Sequence, residues 1–188
     1  MNSPHYFIGI SVSSKVRKML QLWQSDLRRH MTYKVWTHPD DFHITVKFLG
    51  ACTDDKIEEW KNRFSEFKDQ SFSVKVGPAA GFGKKEHPRV VHAEVSRHSE
   101  LMNLKSQVEQ IGVELGFPIE KRAYHPHVTL AKKWVAGNLP FEMNNPNPDY
   151  SQVTEMEVES LNLFQIHPAE LPKYEPICKY GFENVEEG

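Results

Sequence analysis

Residues 42–50 read FHITVKFLG, and residues 126–132 read PHVTLAK. Both stretches contain the pattern His-x-Thr-φ, in which φ is an aliphatic residue, and both are rich in the β-branched and aromatic residues typical of strands. Successive side chains of a strand point to opposite faces, so each histidine lies beside its own threonine while the aliphatic residues face a core. The two patterns therefore predict two strands that line one wet groove, with each half of the chain supplying half of a site.

The sequence around these two strands alternates between strand and helix patterns. Seven strands are predicted, at residues 5–12, 42–49, 72–76, 89–95, 127–131, 153–165 and 174–180. A turn-rich loop is expected between the third and fourth strands, at residues 77–88. This arrangement indicates an α+β fold with antiparallel pairing. No linker divides the chain, so we expect residues 1–188 to form a single two-lobed domain.

Three amphipathic helices separate these strands. Their apolar faces are Val16, Met19, Leu20, Trp23 and Leu27 in the first helix, Ile57, Trp60, Phe64 and Phe67 in the second, and Leu101, Leu104, Val108, Ile111 and Leu115 in the third. Either Ser13 or Ser14 can cap the first helix and Thr53 the second, and Gly116 is well placed to end the third.

Composition and charge argue against several classes of protein. Apolar residues make up 39% and charged residues 26% of the 188 residues, which is too apolar for a disordered chain. The net charge of −2 argues against a protein that coats nucleic acid through bulk basicity. Apolar runs are short, the first residues do not resemble a secretory signal, and the two cysteines, Cys52 and Cys178, lie far apart. We therefore expect a cytoplasmic protein without a membrane span or a disulfide framework.

A pair of histidines facing one groove suits the cleavage of a phosphodiester by general acid–base catalysis. Histidine has an ordinary pKa of about 6.5, so one imidazole can be neutral and the other protonated near neutral pH. The neutral ring can take a proton from an attacking water, and the imidazolium can give one to the departing oxygen. The paired threonine hydroxyls can donate to phosphate oxygens as charge develops. A strained cyclic phosphate does not demand a metal, and no cluster of acidic or cysteine residues in the sequence suggests one.

The same motifs resemble those of the two-histidine phosphoesterase superfamily, and more narrowly those of the bacterial and archaeal RNA 2′,3′-cyclic phosphodiesterases, formerly called 2′-5′ RNA ligases. The resemblance extends beyond the motifs, in the family's order and over nearly the whole chain. The segments that carry it are residues 6–10, 34–36, 43–50, 81–83, 88–91, 124–132, 161–164 and 172–174.

This resemblance implies a fold of two pseudo-symmetric lobes around a central groove, each lobe an antiparallel sheet with helices on its outside. It also implies an enzyme that hydrolyses RNA 2′,3′-cyclic phosphate ends to 2′-phosphomonoesters without a metal or another cofactor. We expect its substrate to be an RNA with such an end, or a related nucleotide, and the enzyme to be a monomer.

By analogy with the family, His43 is the proton donor to the departing 3′ oxygen and His127 is the proton acceptor for water. Thr45 and Thr129 would hold phosphate oxygens. The family often has an arginine after the second motif, where this chain has Lys132 or Lys133. Lysine keeps the positive charge but lacks the bidentate fork, so either lysine remains a candidate for contacting phosphate.

Two further residues share a strand face with these groups. His125 should line the groove beside His127, which we favour over a metal pair formed by the two histidines. Lys47 should continue the face of Thr45, where it either contacts phosphate or lies solvated at the groove rim, and Phe48 should face the core. The other histidines lack a motif and are expected at surface or turn positions: His30, His38, His87, His92, His98 and His167.

Several residues admit both an RNA-binding and a structural role. Tyr33 and Trp36 could stack on a base or pack against the first helix. Lys84, Lys85 and Arg89 could steer an RNA strand or form a solvated loop. Two other functions also fit the motifs: the same chemistry on a small cyclic nucleotide or a 2′-5′-linked oligonucleotide, and a non-catalytic module that binds RNA ends.

Overall fold

The computed structural model describes residues 2–140 and 148–184. The strands are β1 (His5–Ser11), β2 (Met31–Trp36), β3 (His43–Ala51), β4 (Phe72–Gly83), β5 (Pro88–Val95), β6 (His127–Gly137), β7 (Thr154–Val158), β8 (Ser160–Ile166) and β9 (Tyr174–Gly181). The helices are α1 (Ser14–His30), α2 (Asp54–Phe64) and α3 (Ser99–Glu114), and a short 3-10 helix spans Pro39–Asp41. No helix within this part of the chain has the length and apolar character needed to cross a membrane.

The strands form two antiparallel sheets, which confirms the predicted α+β class. The first sheet has the order β3-β1-β8-β9 and the second the order β2-β6-β5-β4-β7. Helices α2 and α3 pack on the first sheet, and α1 packs on the second. The two sheets contact each other where β3 approaches β6, the strands that carry the two motifs.

The predicted helix signals all act as expected. The side chain of Ser13 accepts a hydrogen bond from the backbone N–H of Val16, and that of Thr53 accepts one from Lys56, which satisfies donors exposed at the helix starts. Gly116 follows α3 with a φ of 86°, a conformation that glycine adopts without steric cost. The apolar residues predicted for the three helices are buried, except Leu115, which is partly buried against the core. Phe67 and Leu115 lie just beyond the ends of α2 and α3.

Strand β2 was not predicted, because α1 passes into it without a glycine or proline to mark the boundary. Met31 caps the helix in an extended conformation and is also the first residue of the strand. Burial then alternates along β2, with Met31 and Tyr33 buried and Thr32 and Lys34 exposed. The Tyr33 hydroxyl donates to the Pro88 carbonyl at 2.7 Å. Of the two roles considered for Tyr33, the structure therefore shows the structural one.

Two other predicted boundaries are wrong. The loop expected at residues 77–88 is mostly strand, because β4 continues through Gly77-Pro78 by a register shift between Val76 and Ala79 and leaves only residues 84–87 as the turn. The single strand expected at residues 153–165 is two strands, β7 and β8, which lie in different sheets on either side of Glu159.

Candidate active site

A groove of about 590 Å³ lies where the two sheets meet. Strand β3 contributes His43 and Thr45 to its wall, and strand β6 contributes His127 and Thr129. The structure therefore brings together all four motif side chains. Their aliphatic neighbours are buried on the opposite faces, as the strand alternation predicts.

Each of the two histidine rings is held by a hydrogen bond of the same kind. Nδ1 of His43 donates to the carbonyl oxygen of Asp41 at 2.7 Å, and Nδ1 of His127 donates to the carbonyl oxygen of His125 at 2.7 Å. A carbonyl oxygen only accepts, so this contact assigns the hydrogen to Nδ1 and leaves Nε2 for the groove. Nε2 of His43 lies 2.9 Å from the Thr45 hydroxyl, which can donate to it while the ring is neutral.

Aromatic neighbours fix the planes of the two rings. The ring of His43 lies 4.5 Å from that of Phe7 and 5.1 Å from that of Tyr174, which it meets edge-on. The ring of His127 lies 5.0 Å from Phe82, also edge-on. These contacts restrict rotation of both imidazoles, so each Nε2 is oriented before a substrate binds.

Burial makes both imidazoles hard to protonate in the free protein. It lowers the pKa of His43 to about 4, an effect that the nearby His127 and Lys132 reinforce and that the hydrogen bond and charge of Asp41 oppose. Burial also lowers the pKa of His127, with His125 acting in the same direction and Glu94 against it. Both rings are therefore neutral at pH 7 unless an anion enters the groove.

Two lysines give the groove its positive charge. Lys132 and Lys173 both line it, and burial together with the charges of Lys133 and Lys173 lowers the pKa of the Lys132 ammonium group. An anion placed between these ammonium groups would relieve their repulsion. Lys133 has a positive φ of 63° and does not line the groove, so the structure favours Lys132 as the phosphate contact.

Matching bulges follow the two motifs. In β3, Thr45 and Lys47 lie opposite the consecutive residues Gly9 and Ile8, so one extra residue is inserted between them. In β6, the pairing shifts in the same way between Thr129 and Ala131. A bulge reverses the alternation of faces beyond it. Phe48 and Lys132, each five residues after a motif histidine, therefore both line the groove.

The bulge in β3 overturns two expectations. Lys47 does not share the face of Thr45: it is 5% exposed, and its ammonium group binds the Glu109 carboxylate at 3.0 Å and the Pro118 carbonyl at 3.2 Å. Glycine at position 112 of α3 leaves space for the Lys47 stem. Phe48, expected in the core, is instead 60% exposed and lines the groove.

The structure adds a polar network that sequence patterns missed. His92, expected at the surface, is fully buried, and its Nε2 lies 2.9 Å from the Glu94 carboxylate. The other carboxylate oxygen of Glu94 lies 2.8 Å from Nε2 of His125. Strand β5 pairs Glu94 with His127, which places this network beside the second motif. The spacing His92-x-Glu94 within a predicted strand was the available sequence signal for this network. It points to the site only when the pairing of β5 with β6 is known.

The donors of this network resemble a metal site only in part. Donor atoms of His92, Glu94 and His125 all lie within 4.8 Å of one another, and zinc accepts such ligands. A metal-bound histidine normally donates its second ring N–H to an acceptor, yet Nδ1 of His92 is buried without a partner among the described residues. The residues therefore fit a hydrogen-bonded network better than a metal centre.

Asp41 and Trp36 complete the groove. The buried Asp41 carboxylate accepts hydrogen bonds from the backbone N–H groups of Lys173 at 2.8 Å and Tyr174 at 3.1 Å, which fixes the start of β9 beside His43. Trp36 lines the groove, and the Arg28 guanidinium lies 4.4 Å from its ring centroid. The guanidinium covers one face of the ring, and stacking of Trp36 on a base stays a prediction.

Two antiparallel sheets with a His-x-Thr motif from each on one groove define a two-histidine phosphoesterase fold. Residues 10–92 match the family model described as LigT-like phosphoesterase. A curated relative from Bacillus subtilis (strain 168), named RNA 2′,3′-cyclic phosphodiesterase, is 36% identical over 94% of this chain and 96% of its own length. The chain therefore belongs to the LigT-like phosphoesterase family.

Two further comparisons agree with this assignment. A relative from Aeropyrum pernix, also named RNA 2′,3′-cyclic phosphodiesterase, is 32% identical over 77% of this chain and 81% of its own length. The crystal structure of E. coli LigT in its apo form superposes with a TM-score of 0.74 at 17% identity, covering 97% of this chain and 99% of that one. This structural likeness supports the fold.

Proposed function

We propose that this protein hydrolyses the 2′,3′-cyclic phosphate at an RNA end to a 2′-phosphomonoester, using two histidines and no metal. The observation that carries the proposal is the meeting of His43 and His127 on one groove, each held through Nδ1 so that Nε2 is left for proton transfer. All of these groups come from one chain, so a monomer suffices. The curated relatives carry the name of this activity.

The reaction needs one bond formed and one broken at phosphorus. Nε2 of His127 takes a proton from water as the water oxygen bonds to phosphorus. The bond between phosphorus and the 3′ oxygen breaks, and Nε2 of His43 gives its proton to that oxygen. The products are a 2′-phosphomonoester and a free 3′ hydroxyl, and a proton must pass through solvent to restore the starting state.

Substrate binding allows His43 to take up from solvent the proton that it needs. The low pKa of free His43 leaves it neutral at pH 7, but a bound cyclic phosphate carries a negative charge that favours the imidazolium. Protonation of Nε2 also ends its role as acceptor for the Thr45 hydroxyl, which then becomes free to donate to a phosphate oxygen. Protonated His43 therefore forms next to the bound cyclic phosphate.

Charge that develops on phosphate is met by groups on both walls. Thr45 and Thr129 can donate to non-bridging oxygens, and Lys132 and Lys173 provide positive charge within the same groove. Their position supports these roles, since all four line the groove together with the two motif histidines.

Product analysis on a short RNA with a 2′,3′-cyclic phosphate end tests the proposal. We expect only the 2′-phosphate product, formed equally with and without EDTA. His43→Ala and His127→Ala should each lower kcat by about 10²- to 10⁴-fold, the range for loss of a general acid or base. His98→Ala, at an exposed position at the start of α3, is the matched control and should retain activity. Either motif variant turning over within a few-fold of wild type would overturn the mechanism.

A further inference from the structure

A second cleft opens from the groove. It has a volume of about 640 Å³ and shares Thr45, Phe48, Phe82 and His127 with the groove, so the two spaces adjoin at the motif residues. Its other wall is residues 118–125, the segment between α3 and β6. We call this space the side cleft.

The segment that forms this wall is tied to the motif strand. The Tyr124 hydroxyl donates to the Thr45 carbonyl at 2.8 Å, and the Pro118 carbonyl accepts from the Lys47 ammonium group at 3.2 Å. The backbone N–H of Arg122 donates to the Glu120 carboxylate at 3.0 Å. These contacts hold the wall at a set distance from the groove.

The side cleft carries positive charge that the described part of the chain does not neutralise. Lys47 and Lys105 both bind Glu109, so they are paired. Arg89, Lys121 and Arg122 also line the cleft, and within the described residues their side chains form no salt bridge. Glu120 is the remaining acidic group on the wall. The surplus of cations makes this space complementary to an anionic ligand.

Apolar surface lies among these cations. Phe48 is 60% exposed and Ile119 is 62% exposed, and both line the side cleft. Aromatic faces interleaved with cations are the arrangement by which proteins bind single-stranded nucleic acid, because bases stack while the backbone meets positive charge.

We propose that the side cleft binds the RNA nucleotide that precedes the cyclic end, with its phosphodiester on Arg89, Lys121 and Arg122 and its base against Phe48. This inference rests on the proposed function, since it places the cyclic phosphate between His43 and His127. The side cleft then makes the enzyme prefer an oligonucleotide to a cyclic mononucleotide, because the mononucleotide cannot reach it.

The test compares a cyclic mononucleotide with a trinucleotide that bears the same cyclic end. Wild type should have a higher kcat/KM for the trinucleotide. Lys121→Ala combined with Arg122→Ala should lower the ratio of the two kcat/KM values by roughly tenfold, the loss expected for two exposed charge contacts. It should also weaken the salt dependence of trinucleotide hydrolysis, since fewer phosphate contacts are made. The matched control combines Lys75→Ala with Arg97→Ala, two exposed cations that line neither space.

Each result separates the two proposals. A wild-type enzyme that hydrolyses both substrates with equal kcat/KM, or a ratio that the cleft variant leaves unchanged, would overturn the side-cleft proposal and leave the proposed function standing. If wild type hydrolyses neither substrate, the proposed function fails. Binding of a fluorescent trinucleotide with a 2′-phosphate end then still tests the cleft: wild type should bind it more tightly than the cleft variant, and equal affinity would refute the inference.

Discussion

The backbone carbonyl of Asp41 accepts a hydrogen bond from Nδ1 of His43, while the carboxylate of the same Asp41 binds the backbone at Lys173 and Tyr174. One buried aspartate therefore fixes both the ring of His43 and the aromatic residue that packs against it. Its negative charge also raises the pKa of His43, opposing the effect of burial. We therefore expect Asp41 to act as a positioning residue through His43.

Replacing Asp41 by asparagine should lower the fraction of His43 that is protonated. Asp41→Asn removes the charge that raises the His43 pKa, so the pH above which kcat falls should move to lower pH and kcat at neutral pH should drop by roughly tenfold. The measurement is kcat against pH. Asp40→Asn, on the same turn but at an exposed position, should leave the profile unchanged. An unshifted alkaline limb in Asp41→Asn would contradict this role.

A sulfur substrate distinguishes the acid from the base. A cyclic substrate with sulfur in place of the 3′ bridging oxygen has a leaving group that needs no proton, since a thiol ionises near pH 8.5. His43→Ala should therefore recover most of its lost rate, which is about 10²- to 10⁴-fold on the oxygen substrate. His127→Ala should not recover. Recovery of His127→Ala alone would show that the two roles are exchanged.

The depressed pKa of His43 makes stability depend on pH. His43 has a pKa of about 4 in the folded protein and of 6.5 in the unfolded chain, where it is not buried. The unfolded chain therefore binds the proton first as pH falls. The stabilisation is complete above pH 6.5 and is lost between pH 6.5 and pH 4, by up to roughly 3 kcal/mol. His43→Gln should flatten the fall in urea midpoint over this interval. Equal slopes for the variant and wild type would refute the assigned shift.

Lys47 should matter for stability and little for turnover. Lys47→Met removes a buried cation that binds Glu109, leaving that carboxylate with Lys105 alone. The expected loss is roughly 1–3 kcal/mol in the free energy of unfolding, measured from the urea midpoint. Well below the unfolding temperature, kcat/KM for the cyclic mononucleotide, which does not reach the side cleft, should stay within about twofold of wild type, because the side chain lies off the groove face. A large loss of kcat/KM with unchanged stability would restore a role in substrate binding.

The placement of the four motif residues could be predicted because it depends on local alternation. The period of two along a strand puts His43 with Thr45 and His127 with Thr129 whatever the partner strand does. Helix caps at Ser13 and Thr53 are equally local. These features need only the residues on either side.

Several of the errors have a different cause, since they depend on strand pairing. A bulge is defined by a mismatch with the neighbouring strand, so the inversion of Lys47 and Phe48 requires knowledge of β1. The same holds for His92 and Glu94, which join the site only through the register of β5 against β6. Strand continuity through Gly77 also depends on its neighbours. The positions of these residues are therefore set by long-range strand pairing, which local sequence patterns do not predict.

The order of strands has a consequence for synthesis on the ribosome. Strands β1 and β3 belong to one sheet, β2 and β4 to the other, and β1 finds its second partner only in β8 (Ser160–Ile166). Because the two sheets take their strands alternately along the chain, we propose that the chain folds as one unit. A nascent chain that stops short of β8 leaves β1 with an open edge, and unpaired strand edges of this kind make incomplete chains prone to aggregation.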